Sequence, residues 1–345
     1  MTRQKQRIMA ITLIGVLLCI VSLLALHVGT IMIPIGGGVQ RILNGMGIPV
    51  SFTEPITAEQ EAVLWFIRMP RLIIGLLVGG ALALAGAVMQ GVFSNPLADP
   101  GIMGVSAGAS LGAVIAIALG VTSLSMFYMP AFAFVGAFVS VGITILLTWR
   151  NNKLDTTTLL LAGVAISMLL GAFTSGILTM INEYRLREFL FWMVGGLDFR
   201  RWDHVLLAVG PIVTGSIILM MLGRHLNVLV LGDTEARALG LPVMAYRMVF
   251  LFLASVVTAT AVCVSGSIGF VGLVVPHIVR LLVGPDHRIL LPMAAVGGAL
   301  FLVFCDTLGR VIAQPVEIRV GIMTALLGAP YFLYLLHRLR SKGEA

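Results

Sequence analysis

Long apolar runs recur along the whole chain, and they restrict its fold more than any other feature of the sequence. A helix needs about 20 apolar residues to cross the hydrocarbon core of a bilayer. Only 11% of the 345 residues are charged and the mean hydropathy is +1.06, whereas about 25% of the residues in soluble domains are charged. A soluble core cannot bury this much apolar surface, so lipid must solvate much of the chain. The runs span residues 8–28, 72–92, 101–120, 126–149, 159–181, 204–222, 245–264, 268–283, 289–309 and 320–337.

These ten runs predict an all-α, polytopic membrane protein with about ten transmembrane helices in a single domain, residues 1–345. Helices rather than strands follow from the length of the runs and from the need to satisfy every backbone polar group in lipid. The eighth run is short and is interrupted by Pro276. The first run is too long for the apolar part of a signal peptide and lacks a clear A-x-A cleavage site, so we expect a first span there.

Charges between the runs predict the orientation of the chain. An even number of spans places both termini on the same side, and both termini are basic. Because basic residues favour the cytoplasm, we expect both termini there, and the connections that contain Arg150, Arg224 and Arg288 then also lie inside. The net charge of +7 is spread over short breaks and forms no basic face, which argues against a nucleic-acid partner.

Several arginines contradict this orientation, because they lie in connections assigned to the outside. One interpretation is local pairing with Glu61, Glu183, Glu188 or Asp306, or snorkelling to the lipid headgroups. The other is an outer basic rim that captures an acidic partner, since complementary charge steers docking. Charge alone favours neither interpretation. The residues are Arg68 and Arg71 in the sequence RMPR, then Arg185, Arg187, Arg200, Arg201 and Arg310.

Two polar interruptions lie on the expected inner side. The first, Phe93–Ser110, reads FSNPLADPGIMGVSAGAS and contains two helix-breaking prolines. Asp99 can cap the helix that follows them. This stretch is either an ordinary tight connection or an inner constriction, with Asn95 and Leu97 near its narrowest part.

The second interruption, Leu231–Val243, reads LGDTEARALGLPV and follows the sixth run. Asp233 or the threonine after it can cap a short helix, and Gly240 can end that helix. We expect two short helices along the membrane surface that present Ala238 and Leu239 to the cleft of a partner. The alternative is a bare cytoplasmic linker, which periodicity does not exclude.

The sequence contains no catalytic constellation of its own. It has no G-x-x-x-x-G-K-[ST] stretch, no H-E-x-x-H and no paired-cysteine metal motif. Cys19, Cys263 and Cys305 lie within apolar runs and are interpreted as small packing residues. Ion-driven carriers usually need ionisable groups inside the membrane, but here nearly all charges lie at the ends of the runs, apart from Asp306, which is four residues before Arg310. The pattern favours a transporter whose energy is supplied by another protein.

Six stretches together resemble the FecCD family, the membrane permeases of type II ABC importers for iron-siderophores, haem and cobalamin. The resemblance runs from about residue 68 to residue 336 and implies a homodimer with ten helices per subunit and a substrate pathway along the dimer axis. It also implies an extracytoplasmic binding protein outside and two copies of a separate ATPase inside. The stretches are RMPRLIIGLLVGGALALAGAVMQGVFSNPLADPGIMGVSAGAS, LLLAGVAIS, FWMVGGL, LGDTEARALGLPV, GSIGFVGLVVPHIVRLLVGPDHRILLP and VEIRVGIMTALLGAPYFLYLL.

The resemblance assigns a docking role to outer arginines, which in this family meet glutamates of the binding protein. RMPR matches that pattern at Arg68 and Arg71, and DTLGR matches it at Arg310. With the resemblance, docking becomes the preferred interpretation of these charges. Many relatives read ELPVG near the C-terminus, whereas this chain reads EIRVG, with Arg319 in place of the usual proline. That arginine adds a positive charge near the outer face.

The resemblance also assigns two inner features. The inner gate of such permeases involves the loop matched by Asn95 to Leu97 and the start of the fifth helix, matched by Thr156 and Thr157. A coupling helix pair, about residues 226–243, inserts into the ATPase. Its matching residues are Asp233, Glu235, Arg237, Ala238, Leu239, Gly240 and Leu241.

These observations predict the permease subunit of an ATP-driven importer in the cytoplasmic membrane of a bacterium or archaeon, not an enzyme. ATP and magnesium belong to the partner ATPase, and no cofactor or metal is expected in this chain. The expected cargo is an iron chelate, either a ferric siderophore or haem, with cobalamin as the alternative. The competing hypotheses are an ion-coupled carrier that acts alone and a membrane scaffold, and the coupling segment argues against both.

Overall fold

The computed structural model describes residues 3–51, 56–150 and 153–343, and all ten apolar runs form helices. Two short strands, β1 (Trp149–Arg150) and β2 (Lys153–Leu154), pair as an antiparallel ribbon between two of these helices. The α-helices of the described residues are α1 (Arg3–His27), α2 (Ile35–Gly45), α3 (Ala58–Val63), α4 (Met69–Val92), α5 (Val105–Leu119), α6 (Tyr128–Thr148), α7 (Thr156–Leu178), α8 (Glu183–Met193), α9 (Trp202–Met221), α10 (Gly223–Leu229), α11 (Asp233–Ala238), α12 (Val243–Ser265), α13 (Val271–Val283), α14 (His287–Ile312) and α15 (Val320–Gly343).

The ten-span prediction agrees with these helices. Within the described ranges, seven helices are long and apolar enough to cross a membrane, and they correspond to α1, α4, α6, α7, α9, α12 and α14. The other three expected spans are shorter apolar helices, α5, α13 and α15. The long connection between the first two spans contains two helices, α2 and α3, and a π-helical turn joins α3 to α4.

The core lies around α4 and α12, whose residues are mostly buried, with α14 packed along α4. Small residues allow this close packing. A Cβ on Gly79 would overlap the Gly298 carbonyl of α14, and a Cβ on Gly86 would overlap the Gly272 carbonyl of α13. By contrast, α1 and α7 form the periphery and leave long apolar stripes exposed, which lipid or another subunit can cover.

The bundle has two ends, each of which carries expected functional residues. At one, the "arginine end", Arg68 and Arg310 bind backbone carbonyls near the C-terminus of α1. At the other, the "ribbon end", lie the β1–β2 ribbon, α10 and α11, and Arg247 connects the ribbon to α11. Arg7, near the start of α1, lies against Gly284 at the end of α13. The first helix therefore runs from the ribbon end to the arginine end.

Candidate functional site

The segment at the ribbon end folds into two short helices, α10 and α11, as the sequence predicts. Gly232 enters α11 with a φ of +110° and Gly240 leaves it with a φ of +81°, conformations that favour glycine. The expected cap by Asp233 or Thr234 is wrong, because Gly232 occupies the N-cap position and no side chain caps this helix. Asp233 instead lies in the first turn and accepts hydrogen bonds from two arginines.

One of these arginines anchors α11 to the bundle. Arg247 of α12 donates to both carboxylate oxygens of Asp233, at 2.6 and 3.4 Å, and also to the Leu154 carbonyl of β2, at 3.0 Å. Its side chain is 8% exposed. The other arginine, Arg237, is mostly exposed and reaches Asp233 at 3.2 Å across one turn of α11. A buried residue thus joins α11, α12 and the ribbon.

A second set of contacts anchors α10. The amide nitrogen of Asn227 donates to Asp286 at 2.7 Å, while its oxygen accepts from the His287 backbone at 2.9 Å and contacts the His287 ring at 2.7 Å. Hydrogen bonds from Arg288, together with the one from Asn227, hold the pKa of the Asp286 carboxyl well below its usual range. Asp286 therefore stays ionised as an acceptor, and α10 is fixed to the connection between α13 and α14.

Between these anchors, α11 presents a surface with no cover in the described structure. Ala236 is fully buried and holds the helix down, whereas Ala238 and Gly240 are exposed and Leu239 is 66% exposed. Glu235 adds an exposed acidic group, while Leu241 is half-buried at the end of the segment. Apolar side chains displayed on a firmly anchored helix are suited to insertion into the cleft of another protein.

The two expected parts of an inner gate lie at the ribbon end, but within one chain they line different cavities. Asn95 accepts a hydrogen bond from the Leu97 backbone at 2.9 Å and closes a tight turn. It borders a cavity of about 510 Å³ that α10 and Arg280 also line. Thr156 borders a separate cavity of about 300 Å³ beside Arg247. Asn95 and Leu97 are both half-buried.

The start of α7 is fixed by its own cap. Asp155 accepts hydrogen bonds from the Thr158 hydroxyl and backbone, both at 2.7 Å. These bonds lower the pKa of the Asp155 carboxyl. Thr157 is exposed beside this cap. The gate residues at α7 thus begin a helix whose first turn adjoins the ribbon and the Arg247 anchor.

At the arginine end, Arg71 is the centre of a buried ionic cluster. It donates to both oxygens of Asp306, at 2.9 to 3.1 Å, and to Glu317 at 2.7 Å. Asp198 lies 3.1 Å away, and Arg310 pairs with Asp306 at 3.4 Å. The cluster therefore connects α4, α14 and the segments that precede α9 and α15.

The three arginines expected to dock a binding protein are not exposed in this chain: Arg68, Arg71 and Arg310 are 5%, 8% and 5% exposed. Arg68 donates to the Leu26 carbonyl at 2.7 Å and to the Ile31 carbonyl. The local-pairing interpretation is confirmed for Asp306 and for Glu183, which binds Arg187, and Glu61 pairs with Arg41. An exposed rim made by the three predicted arginines is absent, because internal partners bind them.

Comparison with known proteins identifies the chain. The profile of the FecCD transport family matches residues 17–338, most of the 345 residues. The chain belongs to the FecCD transport family. The two-helix surface of the ribbon end and the arginine cluster both fall within the matched region.

Individual relatives agree with this assignment of the FecCD permease. It is 47% identical over 289 residues to the cobalamin import system permease protein BtuC of Halobacterium salinarum, which covers 84% of this chain and 76% of that protein. It is 43% identical over 294 residues to the hemin transport system permease protein HmuU of Yersinia pestis, with coverage of 83% and 87%. A solved metal-chelate type ABC transporter in an inward-facing conformation matches with a TM-score of 0.82 at 32% identity, over 94% of this chain and 97% of that chain. The chain is thus a multi-pass permease of an ABC importer in the cytoplasmic membrane.

Arg319, at the position where the resemblance leads us to expect proline, has a definite position in this FecCD permease. Its guanidinium lies 4.4 Å from the centre of the Phe191 ring and also donates to the Phe191 carbonyl. It approaches Asp198 at 3.8 Å. Helix α15 begins at the next residue, Val320, so the arginine does not prevent the helix start. It fastens that start to α8.

Three residues of these sites were missed by reasoning from sequence. Asp198 and Glu317 complete the ionic cluster, and Arg247 anchors α11. A usable signal existed for Asp198, because it is an acid beside two arginines in a connection where basic residues needed counterions. Asp233, only 14 residues before Arg247, was a usable signal for their ion pair. No signal indicated the bond to Leu154, which offers only a backbone carbonyl.

Proposed function

We propose that this permease is the membrane subunit of an ATP-driven importer whose ATPase binds the exposed surface of α10 and α11. The observation that carries the proposal is the anchored display of Ala238 and Leu239, with Ala236 buried beneath them. Because both helices are fixed to the bundle, a force applied to this surface reaches the membrane helices. Two ATPase copies, one per permease of a homodimer, would hydrolyse ATP with magnesium, and this chain contributes no catalytic group.

The proposed orientation places the ribbon end in the cytoplasm, together with both termini. It rests on the even number of spans and on the basic residues at both chain ends. It also puts the ATPase surface on the side where ATP is available. Cysteine variants at Thr157, in the first turn of α7, and at Met180, two residues beyond its end, should differ in labelling by a membrane-impermeant maleimide. The orientation is wrong if Thr157 is labelled from outside intact cells.

An extracytoplasmic binding protein is proposed to dock at the arginine end. Arg71 can serve it by exchanging its outer partners, Glu317 and Asp198, whereas the one acid that pairs with Arg310 among the described residues is Asp306. Glu317 and Asp198 are the more exposed acids of the cluster, at 35% and 18% of their side chains, whereas Asp306 is 6% exposed. Glutamates of a binding protein would therefore replace the outer acids and leave the Asp306 pair intact.

The proposed cargo is an iron chelate, with haem favoured over a ferric siderophore by the similarity to the hemin permease of Yersinia pestis. Cobalamin is the second candidate, because the relative from Halobacterium salinarum is a cobalamin permease. Movement through the permease would follow alternating access between outward-open and inward-open states.

The test is transport by the complete complex reconstituted in proteoliposomes with its ATPase and binding protein. Haem, a ferric siderophore and cobalamin are supplied in turn, each preloaded on the binding protein, and uptake is measured with and without ATP. ATP-dependent uptake of haem supports the main proposal, and selective uptake of cobalamin supports the alternative. Uptake of none of the three would refute the cargo class.

A further inference from the structure

We propose that Arg247 transmits the movement of the ATPase-binding helix α11 to α7, because it binds both sides of that connection at once. This inference rests on the proposed function and adds a positioning residue to it. Nothing in the sequence motifs assigns this role to Arg247, which lies in the second turn of α12, beyond the coupling segment.

The geometry of Arg247 supports a rigid connection. Two of its nitrogens donate to Asp233 in the first turn of α11, the shorter bond being 2.6 Å. One of those nitrogens also donates to the Leu154 carbonyl at 3.0 Å. Leu154 immediately precedes Asp155, the residue that caps α7. Three consecutive links thus join α11 to the start of α7.

Burial makes this connection stronger than an ordinary surface pair. The Arg247 side chain is 8% exposed, and Asp233 is its one ion-pair partner among the described residues. Charge-assisted bonds from a planar guanidinium hold a carboxylate in a fixed orientation. A lysine could keep one ionic contact, but its single ammonium group cannot reproduce the forked geometry toward both partners.

The surroundings leave room for the connected parts to move together. A cavity of about 300 Å³ lies beside Arg247, and its walls include Leu154, Thr156, Asp233 and Met244. Thr156 is one of the residues expected at the inner gate. A displacement of α11 can therefore carry the ribbon and the first turn of α7 into open space, which would move the gate without disrupting the packed core.

The experiment compares Arg247→Met and Arg247→Lys with the wild-type complex in proteoliposomes, and it measures ATP hydrolysis and cargo uptake separately. In Arg247→Met, uptake should fall about tenfold or more, because charge-assisted bonds are lost, while ATP hydrolysis stays within about twofold. Arg247→Lys should recover part of the uptake. Arg41→Met is the control, since Arg41 also pairs with a carboxylate, Glu61, but is 49% exposed and belongs to neither anchor of α10 and α11. Both activities of that control should stay within about twofold of wild type.

A spectroscopic measurement separates transmission from a purely structural role. A spin label at Thr157 should change mobility when ATP is added to the wild-type complex, and this change should disappear in Arg247→Met although the ATPase still co-purifies. Asp233→Asn, which removes the same ionic link from the other side with little change in shape, should behave likewise.

The inference is refuted if Arg247→Met keeps the wild-type ratio of uptake to hydrolysis, or if ATP still changes the label at Thr157. A variant that no longer binds ATPase would show a structural role and would also refute it. Failure of the wild-type complex to bind ATPase or to transport with ATP would instead refute the proposed function.

Discussion

The buried cluster around Arg71 gives a quantitative prediction for the variant Asp306→Asn. Asp306 accepts three hydrogen bonds from Arg71 and pairs with Arg310 at 3.4 Å, and its side chain is only 6% exposed. The substitution keeps the shape of the side chain and removes its charge. Arg71 then keeps Glu317 and Asp198 as partners, whereas Arg310 loses its one ion-pair partner among the described residues.

The magnitude follows from what remains in the cluster. Removal of one partner from a buried ion pair costs about 3–5 kcal/mol. Because two acids stay within 3.1 Å of Arg71 and asparagine still accepts a hydrogen bond, we expect the lower end of that range, about 3 kcal/mol. Adding Arg71→Met to this variant should cost less than the same change in the wild type, since contacting residues couple by about 0.5–3 kcal/mol.

The assay is equilibrium unfolding of the purified permease in mixed micelles. It measures the denaturant concentration at which half of the protein is unfolded. Glu183→Gln is the control, because it breaks an ion pair with Arg187 whose side chains are 76% and 70% exposed. Such a pair should contribute at most about 1 kcal/mol. If Asp306→Asn and Glu183→Gln destabilise equally, the buried cluster does not stabilise the fold and the reasoning fails.

Three further predictions concern the ATPase surface, the helix contacts and the cap of α7. Leu239→Asp should weaken ATPase binding at least about tenfold, because it puts a charge into an apolar contact. The thermal stability of the permease should not change. A pull-down with purified ATPase measures the binding, and unchanged binding would contradict the surface assignment. Gly86→Ala should lower the stability by about 1–3 kcal/mol through overpacking against α13. Gly142→Ala, with open space around it, should be neutral; equal stabilities of the two variants would contradict the close packing. Asp155→Ala should destabilise α7 at any pH above the ordinary pKa of the carboxyl, where the cap is ionised. This difference in stability from the wild type should vanish as the pH falls through the lowered pKa of Asp155 in the folded state. Hydrogen exchange of the α7 amides at several pH values measures it, and a difference that does not depend on pH would contradict the ionic cap.

The spans were predictable from the sequence because lipid requires about 20 apolar residues for each crossing. The short α10 and α11 were predictable as well, since Gly240 and the charges around it interrupt the apolar pattern. The burial and pairing of the arginines were not predictable, because their acidic partner lies far away in the chain. Arg71 and Asp306 are separated by 235 residues. Local patterns contain no record of such contacts. The same reason hides the link between Arg247 and the Leu154 carbonyl.

Sequence also could not decide how the two expected gate segments are arranged. Asn95 and Thr156 border different cavities within one chain, so a common gate would require the second subunit of the proposed dimer. Helix α8 was not expected, because its polar residues resemble those of a loop. The structure shows that α8 holds the start of α15, because Arg319 packs on the ring of Phe191.

The most direct test of the central claim is the energy source of transport. The permease is reconstituted in proteoliposomes with and without its ATPase, and uptake of preloaded cargo is measured with ATP, without ATP, and with imposed proton and sodium gradients. The account predicts uptake only when the ATPase and ATP are both present, and its loss in Leu239→Asp. Uptake that an ion gradient drives in the absence of the ATPase would contradict it.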